Sequence, residues 1–163
     1  MTKDKKKQSL SEFEEQPPED TSMMDSKQVL TYEERLKFVN EIAKPLASRK
    51  LTKKIYKLIK KSHKEGKAYW SGLKNVQARL RKGDVEGIAI LAGDVSPIDV
   101  YTHVPAVCED KDVPYVFVPS REDIGLAMGV NRAVIAAYIG ESEGYKELYD
   151  EVKSEIKSLP IPI

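Results

Sequence analysis

Three short apolar runs constrain this chain more than any other feature. Residues 87–92 (GIAILA), 115–118 (YVFV) and 133–139 (AVIAAYI) are rich in Ile, Val and Tyr, and they lack the polar alternation of a strand with one wet face. Such runs are long enough only for strands buried on both sides. Around them the apolar period becomes helical. Leu51, Ile55, Leu58 and Ile59 fall at i, i+4, i+7 and i+8, the stripe of an amphipathic helix that is otherwise lysine-rich and that Gly66 ends. A short extended piece at 68–70 leads into a second helix carrying Leu73, Val76 and Leu80 and stopping at Gly83. Ser96 is expected to cap a third, with Pro97 at its first position and a kink or break imposed by Pro105 near 103–104. Ser120, followed by Arg121, Glu122 and Asp123, opens a fourth that Gly129 closes, and Tyr145, Leu148, Tyr149, Val152, Ile156 and Leu159 trace a last. Helices alternating with buried strands imply an α/β fold, a three-layer α/β/α sandwich around a central mixed sheet of about four strands.

Length and composition bound the rest. The 163 residues suit one domain. With 33% charged residues and a mean hydropathy of -0.47, no apolar run approaches the roughly 18 residues of a spanning helix, so a membrane role is not expected. The opening MTKDKKKQSL has charge without a following apolar stretch, and the expected setting is the cytosolic or nuclear side. Residues 1–30 mix Lys, Glu, Gln and Ser with Pro17 and Pro18 and read as a disordered charged tail, leaving 31–163 as the single domain.

The near-neutral total of +1 hides a strong separation of charge. Residues 1–43 hold 7 basic and 10 acidic side chains, residues 44–82 hold 14 basic against the single acid Glu65, and residues 83–163 hold 6 basic and 15 acidic. Repulsion that dense in the middle segment costs stability unless an anion offsets it, which points to a polyanionic partner.

A search for catalytic chemistry finds no constellation. His63 follows the basic helix, His103 sits beside the expected helix break, and the single cysteine, Cys108, falls on an apolar helical face where a buried thiol is the default. These three supply no zinc-ligand spacing, so no metal and no cofactor are expected. Asp94, in the loop GDVSP, is of the kind that makes backbone hydrogen bonds. Gly83, Gly87 and Gly93 form neither a P-loop nor a dinucleotide fingerprint.

The informative segment is SGLKNVQARLRKG, 71–83. Ser71 is placed to cap the helix and Gly72 to admit another backbone, yet the first turn carries Lys74 and no carboxylate. A cation there opposes the helix dipole by about 0.3 to 1 kcal/mol, an arrangement suited to sharing an anion with the exposed amides. Lys74, Gln77 and Arg81 are expected on one exposed face, Asn75, Arg79 and Lys82 on the next. That is a phosphate-facing helix with an amide able to read a base edge, and it favours RNA as the polyanion.

ILAGDVSPIDVYTHVPAVCEDKDVPYVFVPS (90–120) with REDIGLAMG (121–129) resembles the superfamily of kink-turn-binding ribosomal and small-ribonucleoprotein proteins. AKPLASRKLTKKIYKLIKK (43–61), the LAGD at 91–94 and the terminal SLPIPI (158–163) are similar, more narrowly, to its H/ACA ribonucleoprotein branch. The resemblance runs from Tyr32 to the C-terminus. It implies an α/β/α sandwich in a noncatalytic scaffold that binds H/ACA guide RNA beside the pseudouridine synthase and other subunits. It further implies a nuclear, nucleolar setting and a part in pseudouridylation of ribosomal and small nuclear RNA.

Carried over position by position, the superfamily's helix start matches at Gly72 and, before the closing glycine, at Lys82. Lys74 stands where Asn is usual, as in the H/ACA branch; Asn75 replaces a Glu and Ala78 a Lys. The second RNA-contacting loop corresponds to Val130, Asn131 and Arg132. With Lys67, Ser71 and Arg79 these complete the expected RNA-binding set. The departures remove a carboxylate acceptor for guanine and one phosphate ligand, so general RNA affinity is expected and kink-turn preference is expected to be weak. The rival readings are a kink-turn-binding ribosomal or box C/D protein, and a protein-only scaffold docking through the acidic C-terminal half and the apolar stretch 104–108.

Overall fold

The computed structural model describes residues 30–83 and 86–160. Its elements run α1 (Tyr32–Leu36), α2 (Arg49–Glu65), β1 (Tyr69–Ser71), α3 (Leu73–Arg81), β2 (Ile88–Ala92), α4 (His103–Asp110), β3 (Tyr115–Val118), α5 (Arg121–Met128), β4 (Ala136–Ile139) and α6 (Lys146–Ser158). The sheet is mixed, in the order β1-β4-β2-β3. β2 runs parallel to β3, with Ile90 opposite Val116, and antiparallel to β4, with Ile90 opposite Ala137; β1 closes the other edge antiparallel to β4, with Ser71 opposite Ala137. α2 packs on α5 and α6, and α3 on α4, giving the expected α/β/α layering.

Every residue of β2, β3 and β4 is buried, as continuous apolar runs require when helices cover both faces of a sheet. Leu51, Ile55, Leu58 and Ile59 of α2 are buried as their spacing predicts, and so are Tyr149, Val152 and Ile156 of α6. Ser120 caps α5 by accepting from the Glu122 N–H at 3.2 Å, and Gly66 and Gly129 cap α2 and α5 in the left-handed region. β3 is not a bare edge. Ala47 donates to the Phe117 carbonyl at 2.9 Å and Phe117 to that of Pro45 at 2.9 Å, so the segment before α2 covers it.

Three expectations need correction. Ser96 caps nothing: Pro97 holds the cap position of a 3-10 turn, Ile98–Val100, and α4 begins only at His103. The break therefore falls at 101–102, ahead of Pro105. Pro105 sits in the first turn of α4, where amides lack helical partners and a missing N–H costs little, so it bends nothing. Residues 133–135 precede β4 because the Val134 N–H is committed to the Arg121 carbonyl at 3.0 Å. The short helix α1 lacks an apolar stripe and went unread. It is held by a capping box in which Thr31 and Glu34 satisfy each other's amides, and by Arg35, which meets Asp123 at 2.9 Å. The expected tail, 1–30, lies outside the described residues except for Leu30.

Candidate nucleic-acid interface

The interface is built where β1 turns into α3. Gly72 adopts φ 90°, a conformation that favours glycine, and takes the N-cap position itself. Ser71 is thereby displaced one residue outward, into β1, and its side chain does not cap the helix. Its carbonyl instead accepts from Asn75 Nδ2 at 2.8 Å, which holds the amide at the helix mouth with its oxygen left to accept. Lys74, Asn75 and Ala78 are exposed, and the first turn contains no acid. Among the described helices α1 and α5 follow the opposite rule, with Glu33 and Glu34 or Glu122 and Asp123 in the first turn.

The second wall is the loop after α5. Val130 donates to the Gly125 carbonyl at 3.0 Å, and a Cβ placed on Gly125 would lie 1.9 Å from the Arg132 carbonyl oxygen. Glycine alone lets the loop lie this close to the helix. Val130 is half-buried against the core, while Asn131 and Arg132 are exposed. Gly72 N–H donates to the Ala136 carbonyl at 2.8 Å, so the α3 start and the end of this loop are stitched together. Burial pushes the Tyr69 phenol well above its ordinary value, and the Arg132 charge acts against that shift.

The structure thus brings together Ser71, Gly72, Lys74, Asn75, Val130, Asn131 and Arg132, and separates three others. Lys67 precedes β1 at its opposite end, beside the Ala68 carbonyl that accepts from Gly140. Lys82 is exposed but lies at the C-cap of α3, about 13 Å along the helix from its start. Arg79 is not a solvent-facing cation: its guanidinium lies 3.6 Å from the centroid of the Trp70 ring and is half-buried there. Gln77 contacts His103 of α4, so the expected Lys74, Gln77 and Arg81 face is turned in part toward α4.

The remaining candidates have structural roles. His63 stacks on Tyr69 at 5.4 Å. Asp94 Oδ1 accepts from the Arg121 N–H at 2.9 Å, and burial raises its carboxyl above the ordinary range. Cys108 is buried and its thiol is pushed up to about 12 by loss of solvent, so it is no nucleophile at neutral pH. Val104 and Cys108 both face the core, while Ala106 is exposed and Pro105 and Val107 are half-buried. Gly125 and Leu126 were missed. A glycine inside a helix costs about 1 kcal/mol against alanine and so signals a packing need, which was the available clue.

Residues 53–149 match the model of the ribosomal protein L7Ae/L30e/S12e/Gadd45 family. The chain is 51% identical over 133 residues to the H/ACA ribonucleoprotein complex subunit 2 of Drosophila melanogaster, a match covering 82% of each. It is 44% identical over 162 residues to an H/ACA ribonucleoprotein complex subunit 2-like protein of Xenopus tropicalis, covering 99% of each. Among solved structures, the 15.5kD RNA binding protein of Giardia lamblia superimposes with a TM-score of 0.69 at 30% identity, over 75% of this chain and all of that one.

Proposed function

The chain belongs to the ribosomal protein L7Ae/L30e/S12e/Gadd45 family, and from that membership and its interface we propose that it is a noncatalytic RNA-binding subunit of an H/ACA ribonucleoprotein. The observation that carries the reading is the acid-free start of α3, bonded through Gly72 to Ala136, the first residue of the strand into which the 130–132 loop leads. Backbone amides at a helix mouth, Lys74 and Arg132 make a concave cationic wall for phosphate, and the Asn75 oxygen offers one polar group to a base edge. In that role the protein would act on guide RNA beside the pseudouridine synthase and other subunits of the particle. It would serve pseudouridylation during ribosome biogenesis, in the nucleolus.

RNA affinity measured against salt tests this. Each phosphate neutralised on single-stranded RNA contributes about 0.7 to the log-log slope, so replacing Lys74 and Arg132 together by Glu should lower the slope by about 1.4 if both make contact. The exposed positions of these side chains predict an unchanged circular dichroism spectrum. A slope equal to that of the unmodified protein, in a folded variant, would show that RNA binds elsewhere.

A further inference from the structure

The α3 wall accounts for few of the basic residues in the middle of the chain. Most of them lie on α2, in the other helical layer. Lys50, Lys53, Lys57, Lys60, Lys61 and Lys64 are all exposed; Lys53, Lys57, Lys60 and Lys64 recur about every turn, or about 5.4 Å, along the face opposite Leu51, Ile55 and Leu58, with Lys50 and Lys61 on its flank. Lys54 alone turns aside, to Glu151 at 2.6 Å and to Glu155 on α6. The acidic helix α6 therefore neutralises one edge of α2 and not its crest. The N-terminal turn adds Arg49 and Lys50 where the helix dipole disfavours cations, with no acid in that turn.

This crest is continuous with the interface already described. Leu126 of α5 is 62% exposed; it lines one hollow with Arg49, Lys53 and the Arg35–Asp123 pair, and a second with Asn131, Arg132 and Glu122. A chain of phosphates leaving Arg132 for the N-terminal turn of α2 thus crosses Leu126, onto which a base or ribose can pack, between Asp123, which Arg35 neutralises at 2.9 Å, and the exposed Glu122. Lys67, stranded at the far end of β1, follows the C-terminal end of α2 in the chain and belongs with this crest rather than with α3.

We propose that the outer face of α2 is a second phosphate-binding surface, a sequence-independent track for RNA backbone that continues from the 130–132 loop across Leu126 to Arg49 and Lys53 and along Lys57, Lys60 and Lys64. The proposal rests on the RNA-binding reading of the α3 wall. An acidic protein would also suit a lysine crest, but the junction at Leu126 favours the ligand proposed for the loop.

The test uses the full chain with two RNAs, a short stem-loop and the same stem-loop extended by a single-stranded tail. Lys53→Gln, Lys57→Gln, Lys60→Gln and Lys64→Gln are combined, since Gln keeps helix propensity and relieves repulsion, and a thermal melt checks the fold. The variant should bind the short RNA as before and lose about 2 to 3 from the salt slope on the extended RNA. Changing the same four to Arg should restore it. A quadruple Gln variant with the unmodified slope on the extended RNA overturns the track, whatever else the crest faces. The α3-wall variant, run in parallel, separates the two ideas: it should lose both RNAs if the wall binds RNA, irrespective of the fate of α2.

Discussion

Gly125 is the residue on which the loop wall depends most directly. A methyl at this position would meet the Arg132 carbonyl oxygen at 1.9 Å, a backbone atom that cannot rotate away, so Gly125→Ala must push the loop off α5. Overpacking of this kind costs about 1 to 3 kcal/mol, and the displaced Arg132 should weaken RNA binding while leaving the α3 start intact. Melting temperature and RNA affinity should therefore fall together, unlike in Arg132→Glu, where only affinity falls. Cys108 gives a second measurement at this scale. With its thiol raised to about 12 against a free value of about 8.5, the thiolate at pH 8 is scarcer by about three powers of ten in the folded protein. Alkylation by iodoacetamide should then track global unfolding, and fast labelling of the folded protein at pH 8 would contradict the burial argument.

At the scale of elements, the first turn of α3 carries the departures expected to weaken preference for a kink-turn. Asn75 offers an uncharged amide, already donating to Ser71, and Ala78 offers no phosphate ligand. A charge-assisted acceptor or donor is worth on the order of 1.5 to 3 kcal/mol, so Asn75→Glu with Ala78→Lys and Lys74→Asn should raise preference for a kink-turn over a plain stem-loop at least about tenfold. Competition binding at fixed salt measures it; strong kink-turn preference in the unmodified protein would instead favour the box C/D or ribosomal reading. The docking of α1 carries a pH signature. Burial holds the Asp123 carboxyl above the ordinary range, and Arg35 acts in the opposite direction. Removing Arg35 leaves a largely buried carboxylate without its cation, and Arg35→Ala should cost about 2 kcal/mol at neutral pH. Because the folded state then holds the Asp123 proton more tightly than the unfolded chain, the penalty is complete above the raised folded pKa. It is relieved as pH falls toward the unfolded value of about 3.9. Urea unfolding of both proteins across that range would show the gap narrowing toward acid; a gap independent of pH would remove Asp123 from the account.

For the whole molecule, the sheet divides positive charge into two walls, α3 with the 130–132 loop and the crest of α2, joined at Leu126. Such a field speeds encounter with RNA as well as strengthening binding, so association should slow steeply as salt rises. The capping box at Thr31 opens the first described helix, and the boundary expected near residue 30 can be tested there. Deletion of residues 1–29 should accordingly shift the melting temperature by no more than a few degrees; a larger fall would place part of that segment on the core.

Periodicity and composition were enough for the strands, the α2 stripe, the caps at Ser120, Gly66 and Gly129, and the expectation of a polyanion, because burial on both faces and helix termination are local demands written in adjacent residues. Resemblance supplied the family, and with it the start of α3. What lay beyond both was set by contacts distant in the chain. Arg79 is drawn onto Trp70 by the turn between β1 and α3, and α1 is defined by an ion pair to α5 rather than by any stripe of its own. The division of the lysines between two faces was likewise invisible. Nothing in a run of basic residues records on which side of a sheet each helix will lie; only the packing of α2 on α5 and α6, and of α3 on α4, decides it.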